Sequence, residues 1–345
     1  MTGIGIACLF QLFLYVFQLL LMIKIGVLGV GYLGKVHLRC LQQIPGFNVI
    51  GFYDPDPQKQ AEAVREFGLR AFPTAESLIQ EAEALDIVTS TIAHHQCAKD
   101  VLKNSKHLFI EKPITYSAED AQELIKLTHE ANVIVQVGHV ERFNPAFQAV
   151  LPYVNHPQFI ESHRIGPFNP RGLDVPVVLD LMIHDIDIAL TLIKSPVKRI
   201  FANGVKILSD SADIANARIE FTNGSVANLT ASRISMHRMR KTRIFQKDAY
   251  LSVDFLNKKA EIYALGTGIE TENPFTILEI PMEDNASQRV RIETPIIRET
   301  NAILEELKAF HDSIVNKTPP VVSIEDGYYA VELAQQILSQ IRKDA

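Results

Sequence analysis

A glycine triplet constrains this chain more than any other feature. Gly29-Val30-Gly31-Tyr32-Leu33-Gly34 follows the apolar run Ile23–Leu28 and opens a helical pattern. The first glycine permits a tight turn. The second lets backbone amides approach a pyrophosphate, and the third lets helix and strand pack closely. The helix start adds free N–H groups and a partial positive charge. Alone, the pattern is weak, because glycine-rich turns are common. Here Asp54 ends the next apolar run, 20 residues past Gly34, where a carboxylate accepts from ribose hydroxyls. Gly29, Gly31, Tyr32, Leu33, Gly34 and Asp54 are therefore expected to hold a dinucleotide. Asp54 points to NAD rather than NADP, since it would repel a 2′-phosphate. The residues after it, Pro55, Asp56 and Pro57, offer no arginine to bind one.

From residue 24 to about 140, short apolar runs alternate with helical patterns. Ile23–Leu28, Val49–Tyr53, Ile87–Ser90, Leu108–Ile110 and Val133–Val137 read as buried strands. Lys35–Gln43, Pro57–Phe67, Ala75–Glu83, His95–Asn104 and Ala118–Ala131 read as helices between them. This alternation predicts a parallel sheet covered on both faces. Beyond about 155, strands dominate: Phe159–Arg164, Val197–Leu208, Ala215–Phe221, Ser225–Arg233, Thr242–Gln246, Ala249–Phe255 and Lys259–Leu265. Thr222-Asn223-Gly224-Ser225 is a hairpin signal. Two helices, about 298–316 and 323–342, close the chain, with Pro319-Pro320 between them. The expected class is α/β: an N-terminal Rossmann dinucleotide domain over 22–141, then an α+β domain over 142–345 with a large, mostly antiparallel open sheet.

Residues 1–21 stand apart. From Ile4 to Ile23 there is no charge, and twenty mostly apolar residues suffice for a membrane span. A signal peptide fits poorly, with no basic residue before the run and no small-x-small site after it. An anchor fits poorly too, because the run continues directly into the first strand. Initiation at Met22 would start the chain at that strand, and this is the expectation. The three cysteines, Cys8, Cys40 and Cys97, lack metal-ligand spacing and read as reduced thiols of a cytoplasmic protein. A net charge of −6, from 34 basic and 40 acidic residues, argues against a broad nucleic-acid surface.

Two further segments carry chemistry. Glu111-Lys112-Pro113 follows an apolar strand, which places Lys112 at the carboxyl edge of a parallel sheet, where ligands bind. A lysine there can exchange a proton with a substrate hydroxyl; a surface lysine paired with Glu111 is the plain alternative. Asp180 and His184 are four residues apart, on one helix face. A histidine acts as acid or base near neutral pH, and a carboxylate one turn away orients it. The same pair fits a metal, but no third ligand stands at clear spacing, so no metal is expected.

The glycine loop, then Glu-Lys-Pro, then Asp-x-x-x-His in a second domain resembles the glucose-fructose oxidoreductase / inositol dehydrogenase (Gfo/Idh/MocA) family over residues 22–345. The resemblance implies a substrate domain whose open sheet also serves oligomerisation, as a homodimer or homotetramer. It implies Lys112, Asp180 and His184 as the catalytic group, and Ser90, His95, Glu111 and Lys112 beside the cofactor. One departure is visible: Ser90-Thr91 stands where the family often has Thr-Pro, while His95 keeps the family's histidine position.

The substrate signal is narrower. Gly138-His139-Val140-Glu141-Arg142-Phe143-Asn144-Pro145 joins the domains and is expected to face the cleft, with Arg142 and Asn144 as substrate contacts. Leu179–Leu190 and Ser232-Arg233-Ile234-Ser235 resemble the family's nucleotide-sugar branch. Arg233–Arg243 holds five basic residues and one histidine in eleven, which suits a pyrophosphate. Arg164 and Arg171 are expected to add to it, with Arg164 and Arg240 as substrate contacts, although charges on an open sheet face could equally make subunit contacts. The expected activity is NAD-dependent oxidation of a sugar hydroxyl, on a nucleotide sugar. A free sugar, inositol or other carbonyl substrate, and a non-catalytic NAD-binding regulator, are the alternatives.

Overall fold

The computed structural model describes residues 22–168, 175–265, 273–281 and 287–343. The expectations for residues 1–21, including Cys8, and for Arg171 lie outside these. Among the described residues, no helix is long and apolar enough to cross a membrane.

The chain begins with β1 (Ile23–Leu28), α1 (Tyr32–Leu41), β2 (Phe47–Tyr53), α2 (Pro57–Phe67) and α3 (Ala75–Glu81). It continues with β3 (Ala84–Ile87), α4 (Thr91–Lys103), β4 (His107–Glu111), α5 (Ala118–Ala131) and β5 (Val135–Gly138). The strands form one parallel sheet in the order β2-β1-β3-β4-β5. Every residue of β3 and β5 is buried, as a parallel sheet covered on both faces requires. α2 matches its sequence limits because both ends carry local signals. Asp56 accepts from the Gln58 amide, Pro57 opens the first turn, and Gly68 closes the helix at φ +65°. β3 lies earlier than Ile87–Ser90. Its central Asp86, wholly buried, hid the strand from a hydrophobicity reading.

The second unit opens with α6 (Pro145–Val150) and β6 (Phe159–Ile165). A π-helical turn, Val178–Met182, leads into α7 (Ile183–Leu192). Then come β7 (Val197–Val205), β8 (Ile214–Phe221), β9 (Val226–Ser232), β10 (Met239–Gln246), β11 (Ala249–Asp254), β12 (Lys259–Leu265), β13 (Phe275–Pro281) and β14 (Ser287–Glu293). They join in the order β13-β14-β12-β11-β10-β6-β9-β8-β7. Only the β6–β9 pairing is parallel; the others run antiparallel. The predicted hairpin joins β8 to β9, with Gly224 at φ +88° and its amide bonded to the Phe221 carbonyl. β13 and β14 were not anticipated. β13 is exposed along its whole length, so no alternation of polarity marks it.

α8 (Ala302–Asn316) and α9 (Ile324–Lys343) end the described chain. The contiguous division at 141/142 does not describe the structure. One unit comprises residues 22–115, 119–138 and 303–324; the other comprises 116–118, 139–302 and the chain from 325 onward. α8 belongs to the first because its apolar side completes that core. Leu307 and Phe310 pack with Ile25, Val27, Phe47 and Phe109, and the Phe310 and Phe109 rings stand 5.8 Å apart. Gln136 donates to the Glu306 carbonyl at 2.6 Å. Val137 donates its amide to Val322, so the outer edge of β5 is not left bare.

Candidate active site

The glycine loop has the form its spacing predicts. Gly29 sits at φ +94°, and a Cβ there would lie 2.7 Å from the Val88 carbonyl oxygen. A Cβ at Gly34 would lie 2.0 Å from the Gly29 carbonyl oxygen. That contact is the close approach of helix and loop which only glycine permits. A Cβ at Gly31 would meet nothing within 4 Å. The space over the second glycine is therefore open, as a pyrophosphate needs. α1 begins at Tyr32 with no side-chain cap, which leaves first-turn N–H groups to a ligand. Tyr32 is 85 % exposed and Leu33 36 %, both at that helix start. Asp54 is buried at the end of β2. One carboxylate oxygen accepts the Val30 amide at 2.9 Å and the other accepts the Asp56 amide at 2.9 Å. It thus clamps the loop and, with lone pairs remaining, has capacity for a ribose hydroxyl. The residues present fit a bound NAD.

Ser90 caps the start of α4 without a side-chain bond. His95, one turn on, faces α5: its Nε2 stands 2.8 Å from Glu123, which Lys99 also engages at 2.6 Å. His94, which the sequence reading passed over, is the buried one. Its Nδ1 lies 2.8 Å from the Pro113 carbonyl oxygen and its Nε2 3.2 Å from that of Thr89. Burial lowers its pKa, against weaker raising effects from the two carbonyls. A neutral ring donates to one partner only, and the shorter contact is to Pro113. Lys112 is half-buried, ahead of a cis peptide to Pro113. Glu111 departs from its expected place beside a cofactor. Its carboxylate turns inward, to His37 Nε2 at 3.2 Å and to the Lys112 amide at 3.2 Å.

In the second unit, Asp180 lies in the π-helical turn and His184 in the first turn of α7; both are half-buried. The expected regular helix is therefore widened here, a feature frequent at functional sites. Arg142 and Asn144 are not available as substrate contacts. Arg142 holds buried Asp187, with Nε 2.8 Å from Oδ2, and reaches Asp326 at 3.3 Å. Asn144 donates to Glu141 and to the Phe255 carbonyl, and its oxygen caps α6. Arg164 is buried and neutralised by Asp185 at 2.9 Å and Glu141 at 2.7 Å.

Strand alternation divides the basic cluster. Arg240 pairs in register with Arg164 across β10 and β6. Lys241 and Arg243 point to the opposite face, where they pair with Asp254 at 3.4 Å and Glu161 at 3.0 Å. On the first side, Arg164, Arg233, Arg238 and Arg240 line a pocket of about 390 Å³ together with Asp180. Arg233 is buried; its Nη2 donates to the Val175 carbonyl, while its Nε has no hydrogen-bond partner among the described residues. Burial and the neighbouring arginines lower the pKa of Arg240, a sign of crowded positive charge.

Residues 23–139 match the NAD-binding Rossmann fold of the Gfo/Idh/MocA oxidoreductases, and residues 158–252 match that family's C-terminal domain. The chain belongs to the Gfo/Idh/MocA family. It is an NAD-dependent oxidoreductase, with the Rossmann domain and large open sheet that the motif resemblance implies. A UDP-N-acetylglucosamine 3-dehydrogenase of Acidithiobacillus ferrooxidans is 36% identical over 297 residues, spanning 86% of this chain and 90% of that protein. Its solved structure superposes with a TM-score of 0.84 at 33% identity, over 93% of this chain and 98% of that one. A myo-inositol 2-dehydrogenase of Thermotoga maritima is 25% identical over 328 residues, 90% of this chain and 93% of that protein. A Lactobacillus casei scyllo-inositol dehydrogenase solved with NAD(H) and scyllo-inositol shares the fold, with a TM-score of 0.73 at 22% identity over 94% of this chain and 98% of that one.

Proposed function

We propose that this Gfo/Idh/MocA chain oxidises a ring hydroxyl of a nucleotide sugar, with UDP-N-acetylglucosamine as the first substrate to test. The arginine-lined pocket carries the reading. A diphosphate suits it because guanidinium groups bind phosphate oxygens in pairs, and an anion relieves the crowding around Arg240. A free sugar or inositol has no charge to use these groups. The similarity to the Acidithiobacillus enzyme supports the same substrate class.

His184 takes the hydroxyl proton, Asp180 orients the imidazole, and Lys112 stabilises the developing alkoxide. The exchange of roles between His184 and Lys112 is the second allocation. NAD, when bound at Gly29–Gly34 and Asp54, supplies the hydride acceptor. The products are a ketosugar, reduced cofactor and one proton. The apolar residues exposed along the nine-stranded sheet, among them Phe201, Phe245, Phe275 and Ile277, support assembly with further copies as a dimer or tetramer.

NADH formation is measured with NAD and UDP-N-acetylglucosamine, free N-acetylglucosamine or myo-inositol. Turnover confined to the UDP-sugar, with a raised KM in Arg240→Ala, is expected. Equal turnover of a free sugar or inositol refutes the nucleotide-sugar assignment and leaves the arginines to subunit contacts.

A further inference from the structure

Beneath the Glu111–Lys112 turn lies a buried ionic cluster that the catalytic reading does not use. His37, on α1, stands between Asp86 of β3, Glu111 of β4 and Glu306 of α8, and all four are buried. Its Nδ1 is 2.9 Å from Asp86 Oδ2 and its Nε2 is 3.2 Å from Glu111 Oε1. One ligand atom each from His37, Glu111 and Glu306 falls within 4.8 Å of the others. Nδ1 makes a hydrogen bond with Asp86, while Nε2 meets Glu111 as a close ionic contact without hydrogen-bond alignment. Three buried carboxylates around one ring favour its protonated form. The surrounding charges agree. Burial opposes a charged His37, but Asp86 and Glu111 outweigh it and raise the pKa well above the usual range. Burial likewise works against Glu111, yet its contact with His37 holds its pKa down. Asp86 is raised by burial. The other titratable neighbours of Glu111 are Lys112 and His94.

The Glu111 carboxylate packs closely over Gly138. A Cβ at Gly138 would lie 2.9 Å from Glu111 Oε1, so the carboxylate fills the space that a side chain would take. Its other oxygen accepts the Lys112 amide. A continuous chain of contacts thus runs from Asp86 through His37 and Glu111 to the backbone of Lys112.

We propose that His37 is a positioning residue for Lys112: its protonated ring fixes the Glu111 carboxylate, which fixes the lysine backbone and supplies the charge balance beneath it. This rests on the reading of Lys112 as catalytic. In His37→Gln, kcat falls at least about tenfold while KM for NAD changes less than about twofold. Losing a positive charge under the turn leaves the carboxylates unbalanced. The ionisation limb of kcat therefore moves up by about one pH unit. Glu306→Gln removes a negative charge instead and moves the limb down, which serves if His37→Gln does not fold.

Imidazole-15N NMR of the full chain, assigned against these variants, should show His37 protonated on both nitrogens at pH 8. A neutral His37 at pH 8, or stoichiometric divalent metal in the purified protein, overturns the proposal. So does a fall in kcat with an unmoved pH limb in both variants, which marks a purely structural role. Lys112→Ala separates the two failures. If it retains turnover, the catalytic reading has failed and the positioning role with it. If it is inactive while the limb stays fixed, only the positioning role has failed.

Discussion

Alanine at Gly31 and at Gly34 should produce different defects, although the two substitutions add the same methyl group to one loop. At Gly34 the new Cβ would stand 2.0 Å from a backbone oxygen. Ordinary contacts are about 3.5 Å, so helix and loop must part by on the order of 1 Å. Overpacking of this kind costs about 1–3 kcal/mol. At about 2–4 °C per kcal/mol for a unit this size, Tm falls by roughly 2–12 °C. At Gly31 the backbone lies at φ −64°, which alanine adopts, and the Cβ meets open space. Stability there should stay within about 1 kcal/mol of wild type. The methyl group would instead occupy space needed by the pyrophosphate. With NAD at about a hundred times its Kd, the wild type gains about 2.7 kcal/mol; a variant bound tenfold more weakly gains about 1.4. Thermal melts with and without NAD should therefore show the cofactor-induced rise in Tm roughly halved in Gly31→Ala, its apo Tm unchanged. NADH fluorescence titration gives the affinity directly. Wild-type affinity in Gly31→Ala would refute the placement of the pyrophosphate over this loop.

Lys112→Met should bind NAD normally and lose turnover, measured as NADH formation; loss of NAD binding with it would contradict the assigned role. His184→Ala should lower kcat steeply with cofactor affinity intact, and near-full activity removes His184 from the mechanism. Arg142→Met leaves Asp187 buried without its main partner and should cost about 3–5 kcal/mol, much of it recovered in Arg142→Met/Asp187→Leu; denaturant unfolding checks both. Burial would raise the pKa of Asp213, but bonds from the Ser209 hydroxyl and the amides of Leu208, Ile207 and Ser209 hold it well below the usual carboxylate range. A lowered folded pKa gives stability that is full above the unfolded value of about 4 and is lost as pH falls below it. Asp213→Asn should be less stable at neutral pH by about 1 kcal/mol and lose less on acidification, followed as Tm against pH.

The local signals were legible because their cause is local. Gly29, Gly31 and Gly34 announce a loop whose backbone conformation and close approaches admit no side chain. Asp56, Pro57 and Gly68 mark both ends of α2 by capping chemistry that involves only neighbours in the chain. Glu111-Lys112-Pro113 and Asp180 with His184 were recognisable as motifs. What failed depended on partners distant in sequence. Asp86 concealed β3 because its partner His37 lies 49 residues away. β13 has no buried face, and β14 buries its charged Arg291 and Glu293 rather than its apolar residues, so hydrophobicity marked neither strand.

The arginines show the same division at the site. A run of basic residues suggested a single anion-binding cluster. Pleating sent Arg240 to the pocket and Lys241 and Arg243 to the opposite face. Arg142 and Arg164 looked like substrate contacts until Asp187, Asp185 and Glu141 were seen to neutralise them. Nor did the sequence indicate that α8 returns to the first unit and brings Glu306 to His37. The sequence by itself determined the nucleotide loop and most of the strand–helix alternation of the first unit, and it marked the motifs proposed as catalytic, since each follows from residues within a few positions of one another. Only the tertiary structure decided which charges are spent on internal partners and which remain for a ligand, because a charge is neutralised by whatever the fold places within a few ångströms of it.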